Sequence, residues 1–339
     1  MRIRDFSLEL ARPLETAKGS ISERTGFLVA VEHEGTLGVG EATPLPGWTE
    51  SLEDCRVALD SVSDPGSALG DGSLDDTPAA RHAVSLALTD ATARAENESL
   101  ATSLATKSHT SLPVNATIGD GDIETTVTDA ETAVSVGFDC LKVKVGARDP
   151  TDDIERLRAV RDAVGSDISI RADVNGAWDR WTADEFLSGV ADFDLEYLEQ
   201  PLPADEIAGH AVLRRLHDTP LALDESLAHV SPERALASNA ADVLVCKPMA
   251  LGGPDHVLSV AKQAARSNVD VVVTTTIDAV VARLGALHVA AALPSTRAHG
   301  LATASLLQGD LAAEPVPVVD GSMTVPDAPG LGIDVDDLF

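Results

Sequence analysis

Between residues 112 and 301, short apolar runs alternate with longer segments whose apolar positions recur at helical spacing. The runs fall at 114–117, 140–145, 168–173, 195–199, 221–224, 243–246 and 269–274, and a short last one lies at 299–301. Their nearly unbroken apolar character is that of strands buried on both faces, which belongs to parallel sheets wrapped by helices. The alternation predicts an α/β fold of the (β/α) barrel type. Upstream the pattern differs. Residues 3–10, 25–32 and 37–40, the last after a Glu34-Gly35 turn, predict a small antiparallel sheet. Residues 77–96 read as a helix, and the Gly-, Ser- and Asp-rich stretch 64–76 as a loop. The expected organisation is an N-terminal α+β capping domain (1–108), a barrel (109–312) and a Pro- and Asp-rich C-terminal segment (313–339) returning to the cap.

Charged residues recur at or near the ends of these runs. CLKVKVG carries Lys142 and Lys144, ISIRADVN carries Asp173, LEYLEQP carries Glu199, LALDES carries Asp224 and VLVCKP carries Lys247. The steps from Lys144 onward are 29, 26, 25 and 23 residues, each about one strand, one helix and two loops. Residues that end barrel strands converge on one face of the barrel. Three carboxylates and three lysines are therefore expected to meet, although a hundred residues separate the first from the last.

Asp173, Glu199 and Asp224 offer only hard oxygen donors, which suits Mg²⁺, with Mn²⁺ as a substitute, and disfavours zinc. Lys142 and Lys144 lie two apart on a strand, so both point the same way, into the barrel. Their mutual repulsion and a nearby cation are expected to lower at least one of their pKa values towards that of a useful base. Lys247 arrives from the opposite side. The chain has six lysines against 19 arginines, and three of the six sit on these two strands. An arginine cannot lose its proton at workable pH, so the retained lysines point to proton transfer.

The net charge is −30, spread in short acidic stretches, and aromatic content is 3%. Such a surface repels nucleic acid and anionic membrane, and it suits a protein kept in solution by concentrated salt. Cys55, Cys140 and Cys246 are odd in number without CxxC spacing, so neither a disulfide framework nor a zinc knuckle is expected. The start MRIRDFSLEL has no apolar signal core, and the stretch 279–293 is interrupted by Arg283 and His288. A cytoplasmic enzyme with a small-molecule carboxylate partner is the expectation, with a homo-oligomer as an open alternative.

In these residues the chain resembles the enolase superfamily, and within it the muconate-lactonizing subgroup. Lys142 and Lys144 match its Lys-x-Lys strand, Asp173, Glu199 and Asp224 its metal ligands, and Lys247 its opposing lysine. The segments GVGEATPLPGWTES, CKPMALGG and VVVTTTIDA look like those of o-succinylbenzoate synthases. That resemblance implies a Mg²⁺-dependent lyase of menaquinone synthesis acting on 2-succinyl-6-hydroxy-2,4-cyclohexadiene-1-carboxylate. In it Lys144 takes the α-proton, Lys142 contacts the carboxylate, and Lys247 stabilises an ene-diolate. The implied substrate contacts are Asn175, Gly252, Thr275, Thr276, Asp278 and Trp48. Two departures stand out: Thr274 to Asp278 replaces a Ser-Ser-Ser-Ile-Glu type run, and His299-Gly300-Leu301 stands where dipeptide epimerases carry Asp-x-Asp. A muconate-type cycloisomerase, a dipeptide or N-acylamino acid epimerase, and an inactive binding scaffold are the competing expectations.

Overall fold

The structure, a computed structural model, describes residues 1–16, 19–336 and 338–339. Strands β1 (Arg2–Thr16), β2 (Gly19–His33) and β3 (Thr36–Ala42) form the expected antiparallel sheet. Glu34 and Gly35 both take positive φ, 50° and 77°, as a two-residue hairpin turn requires. On this sheet lies the long helix Pro78–Ala95, whose alanines set the spacing. Gly38 and Gly40 face it so closely that a Cβ on either would come within 2.2 or 2.0 Å of the helix carbonyls of Ala87 and Ala83. The GVG of β3 is thus a packing device. Helices Leu52–Ser61 and Leu100–Leu104 complete the cap, with Pro65–Gly70 between. The last corrects the expectation of a loop: Asp64 accepts from the Ser67 N–H and Pro65 opens the first turn, so a capped helix forms within a Gly- and Ser-rich stretch.

β4 (Ser111–Pro113) leads into the barrel and pairs with β12 (Ser322–Thr324). A seven-stranded parallel sheet then runs in chain order through β5 (Ala116–Ile118), β6 (Cys140–Lys144), β7 (Ser169–Asp173), β8 (Leu195–Glu199), β9 (Leu221–Leu223), β10 (Val243–Cys246) and β11 (Asp270–Val273). Isolated parallel bridges Thr274 to Gly300 and Val114 to His299 join its two edges, so the eighth strand is reduced to a few residues. Tyr197, Ala222, Val243, Val245 and Val272 fill the lumen. Below them Arg171, fully buried, lies 4.7 Å from the Tyr197 ring and donates to Glu196 and Asn115. The register between β7 and β8 slips at this point: Ile170 opposes Leu195 but Arg171 opposes Tyr197, so Glu196 is the extra residue of a bulge. The C-terminal segment returns to the cap, where Asp90 accepts from the Leu331 N–H and Arg94 donates to the Ile333 carbonyl.

Candidate active site

Sheet register brings the site together. Lys144 is paired with Asp173 across β6 and β7, and Asp173 with Glu199 across β7 and β8. Asp224 follows β9 and Lys247 follows β10. Lys144 Nζ donates to Asp173 at 2.6 Å and to the Asn175 side-chain oxygen at 2.7 Å. Lys142 Nζ lies 2.7 Å from Glu199 and 2.9 Å from Asp173. Lys247 Nζ contacts both oxygens of Asp224. The six polar strand-end residues therefore form one arc of paired lysines and carboxylates at the C-terminal mouth.

Burial and neighbours set its electrostatics. Asp173 is held well below the usual carboxylate range: burial alone would raise it, but Lys142 and Lys144 outweigh that. Glu199 is pushed up to about 7, first by burial and then by Asp173, with Lys142 opposing. Asp224 is likewise raised, by burial and Glu225 against the pull of Lys247. Lys142 is raised well above the ordinary lysine range, because Asp173, Glu199 and Asp224 outweigh its burial. For Lys142, then, the carboxylates it faces set the direction.

Among the described residues, no three acidic, His or Cys side chains are gathered as a ready chelate; the lysine ammonium groups stand between the carboxylates. Glu199 Oε2, however, is buried with no hydrogen-bond partner, as is Glu225 Oε2. A buried carboxylate oxygen without a donor is the kind of atom a cation satisfies. An all-oxygen donor set with such an atom at its centre fits a hard divalent ion.

The residues expected to contact substrate divide. Asn175, with φ of 52°, joins Lys144 to Glu225. Trp48, on the cap, covers Lys247, whose Nζ lies 3.5 Å from the ring centroid. Gly252 caps helix Pro248–Leu251 in a left-handed conformation, its N–H turns back to Pro248 and its carbonyl takes the Arg81 guanidinium. Thr276 and Asp278 are bound to each other in the buried seam between cap and barrel, beside Glu41 and Arg24. Thr275 meets Thr303 at 3.1 Å.

Other site residues escaped the sequence reading. Gln200 follows Glu199 in LEYLEQP and its side-chain oxygen accepts from the Asp224 N–H. Arg156 and Asp153 form a buried pair behind β6; Arg156 donates to the Lys144 carbonyl and Asp153 accepts from the Gly146 N–H. They lie on a helix whose acids and arginines read as solvent-facing.

The chain matches the enolase C-terminal domain-like family over residues 125–338. It is 31% identical to chloromuconate cycloisomerase of Pseudomonas sp. (strain P51), covering 96% of this chain and 93% of that one. It is 38% identical to o-succinylbenzoate synthase of Thermobifida fusca, over 63% of this chain and 66% of the relative. The dipeptide epimerase of Methylococcus capsulatus, solved with Mg and L-Arg-D-Lys, superposes with a TM-score of 0.87 at 31% identity, covering 98% of both chains. Fold, strand-end residues and relatives agree: the chain belongs to the enolase superfamily, in its muconate-lactonizing subgroup.

Proposed function

We propose that the chain is a Mg²⁺-dependent enzyme that removes a proton from carbon next to a substrate carboxylate, with Asp173, Glu199 and Asp224 as the metal ligands. The observation that carries this reading is the arc itself, two lysines on β6 and a third beyond β10 flanking three carboxylates at one barrel mouth. A divalent cation there would bind the substrate carboxylate and offset the charge of the ene-diolate. Lys144 is the base. Its side chain is 32% exposed, against 15% for Lys142, so it is the one a substrate reaches. Lys142, anchored on Glu199 and Asp173, holds positive charge beside the carboxylate. Lys247, on the far side, stabilises the ene-diolate. The proton taken by Lys144 is returned to the departing hydroxide in a dehydration.

Among the family reactions we put o-succinylbenzoate synthesis first, on the cap and strand segments quoted above and on the 38% identity to the Thermobifida fusca enzyme. Cycloisomerisation is the second reading, supported by the coverage of 96% of the chain by the chloromuconate relative. The acidic composition supports work in concentrated salt, and the all-oxygen donor set would accept Mn²⁺ in place of Mg²⁺. The test is a screen in molar KCl with Mg²⁺ and D₂O, offering the menaquinone precursor, cis,cis-muconate and N-acylamino acids. Dehydration of the first supports our reading. Deuterium entering an inverted α-carbon of an acylamino acid, without dehydration, would replace it with the epimerase.

A further inference from the structure

Gln200 directly follows β8 with φ of 40°, a left-handed conformation that a glutamine seldom adopts, and it is fully buried. Every polar atom of its side chain is engaged. Oε1 accepts from the backbone N–H of Asp224 at 3.0 Å and of Ser226 at 3.2 Å. Nε2 donates to the Leu202 carbonyl at 2.9 Å and to Ser226 Oγ at 2.8 Å. Its backbone is used as fully: the N–H donates to Ala222 and the carbonyl accepts from Gly176, both at 2.8 Å. Behind it stands His210, held down to about 4 by burial and so neutral. Its Nδ1 faces the Glu206 carbonyl at 2.9 Å, which leaves Nε2 to accept from the Leu202 N–H at 3.4 Å. One residue thus ties the loop after Asp173, the end of the Glu199 strand and the backbone of Asp224. A strained conformation persists where surroundings over-determine it, and here the restraints converge on the carboxylate-bearing strand ends.

We infer that Gln200 is a positioning residue for the cation site: it fixes Asp224 relative to Glu199, so that the two carboxylates are presented as a pre-set pair. The inference rests on the metal reading proposed above. Outer partners that orient metal ligands typically carry a 10- to 100-fold effect on affinity.

The test is titration of the full chain with Mn²⁺, following the free ion by electron paramagnetic resonance, together with thermal melting of the cation-free protein. Gln200→Asn tolerates the positive φ but is one methylene too short to reach Asp224. Gln200→Met keeps the length and offers no acceptor. Both should raise the Mn²⁺ dissociation constant by roughly 10- to 100-fold while the cation-free protein still melts in one transition. If one variant fails to fold, the other decides. Unchanged affinity in the folded variants, even with a lowered melting temperature, would overturn the inference and leave Gln200 a purely structural brace. Failure of the wild type itself to bind Mn²⁺ would overturn this inference and the metal reading together.

Discussion

Lys144 and Lys142 are separated by a single strand residue, yet their environments assign them different work. Lys142 is locked between two buried carboxylates, whereas Lys144 reaches outward past Asp173 to Asn175. Lys144→Ala should therefore lower kcat by about 10² to 10⁴ or more, the range for a general acid–base group, in steady-state assays on the accepted substrate. The acids and lysines themselves were legible in the sequence because strand ends are fixed by apolar runs, which are easily counted. Gln200 was not, since nothing in a single sequence shows which backbone N–H groups its amide will meet. Glu41 was hidden in the same way. Its buried carboxylate accepts from the N–H groups of Ala279 and Ala282, capping the barrel helix Val280–Ala291 from the cap domain. Burial and then Asp278 push it up from the ordinary 4.5 to about 7. A raised carboxyl contributes stability that is fully present below about 4.5 and is lost as pH rises through about 7, on the order of 3 kcal/mol at most. Glu41→Gln should flatten that part of the slope. Denaturant unfolding of both proteins from pH 4.5 to 8 measures it.

At the scale of elements, the barrel is braced at both ends by polar groups that interrupt its apolar strands. The bulge in β8 puts Glu196 against Arg171, and Arg297 completes the pair from beside the eighth strand. Removing one partner leaves a buried guanidinium uncompensated, so Glu196→Ala should cost about 3 to 5 kcal/mol in urea unfolding. A change below 1 kcal/mol would mean that water reaches Arg171 freely. Strand positions were readable because each run is apolar on both faces, but the bulge was not. A one-residue slip between β7 and β8 depends on which residues pair across the strands, and a single chain's residue pattern does not record that pairing. The helix Pro65–Gly70 escaped for the opposite reason. Its residues are poor helix formers, and Asp64 with Pro65 fixes the start that composition disguises. The eighth strand was faint in sequence and is faint in the fold, reduced to backbone bridges at His299 and Gly300.

Across the whole molecule, a charge of −30 is held on a chain whose helices begin on acids such as Asp122, Asp149 and Asp179. Mutual repulsion among the remaining surface carboxylates opposes folding and is screened by salt over about 10 Å at 0.1 M and 3 Å at 1 M. The melting temperature should rise steadily from about 0.1 M to molar KCl; a flat response would contradict adaptation to salt. Cap and barrel meet where Trp48 covers Lys247 and where Glu41 caps a barrel helix, so the site is a product of both domains. Its centre is the arc of carboxylates in which Lys142 bridges Asp173 and Glu199 and Lys247 holds Asp224. Anomalous diffraction from crystals grown with Mn²⁺ tests that centre directly. The account predicts one strong peak about 2.1 Å from oxygens of all three carboxylates, with Lys142 and Lys247 drawn back from them. A peak elsewhere, with the three carboxylates still paired to their lysines, would contradict it.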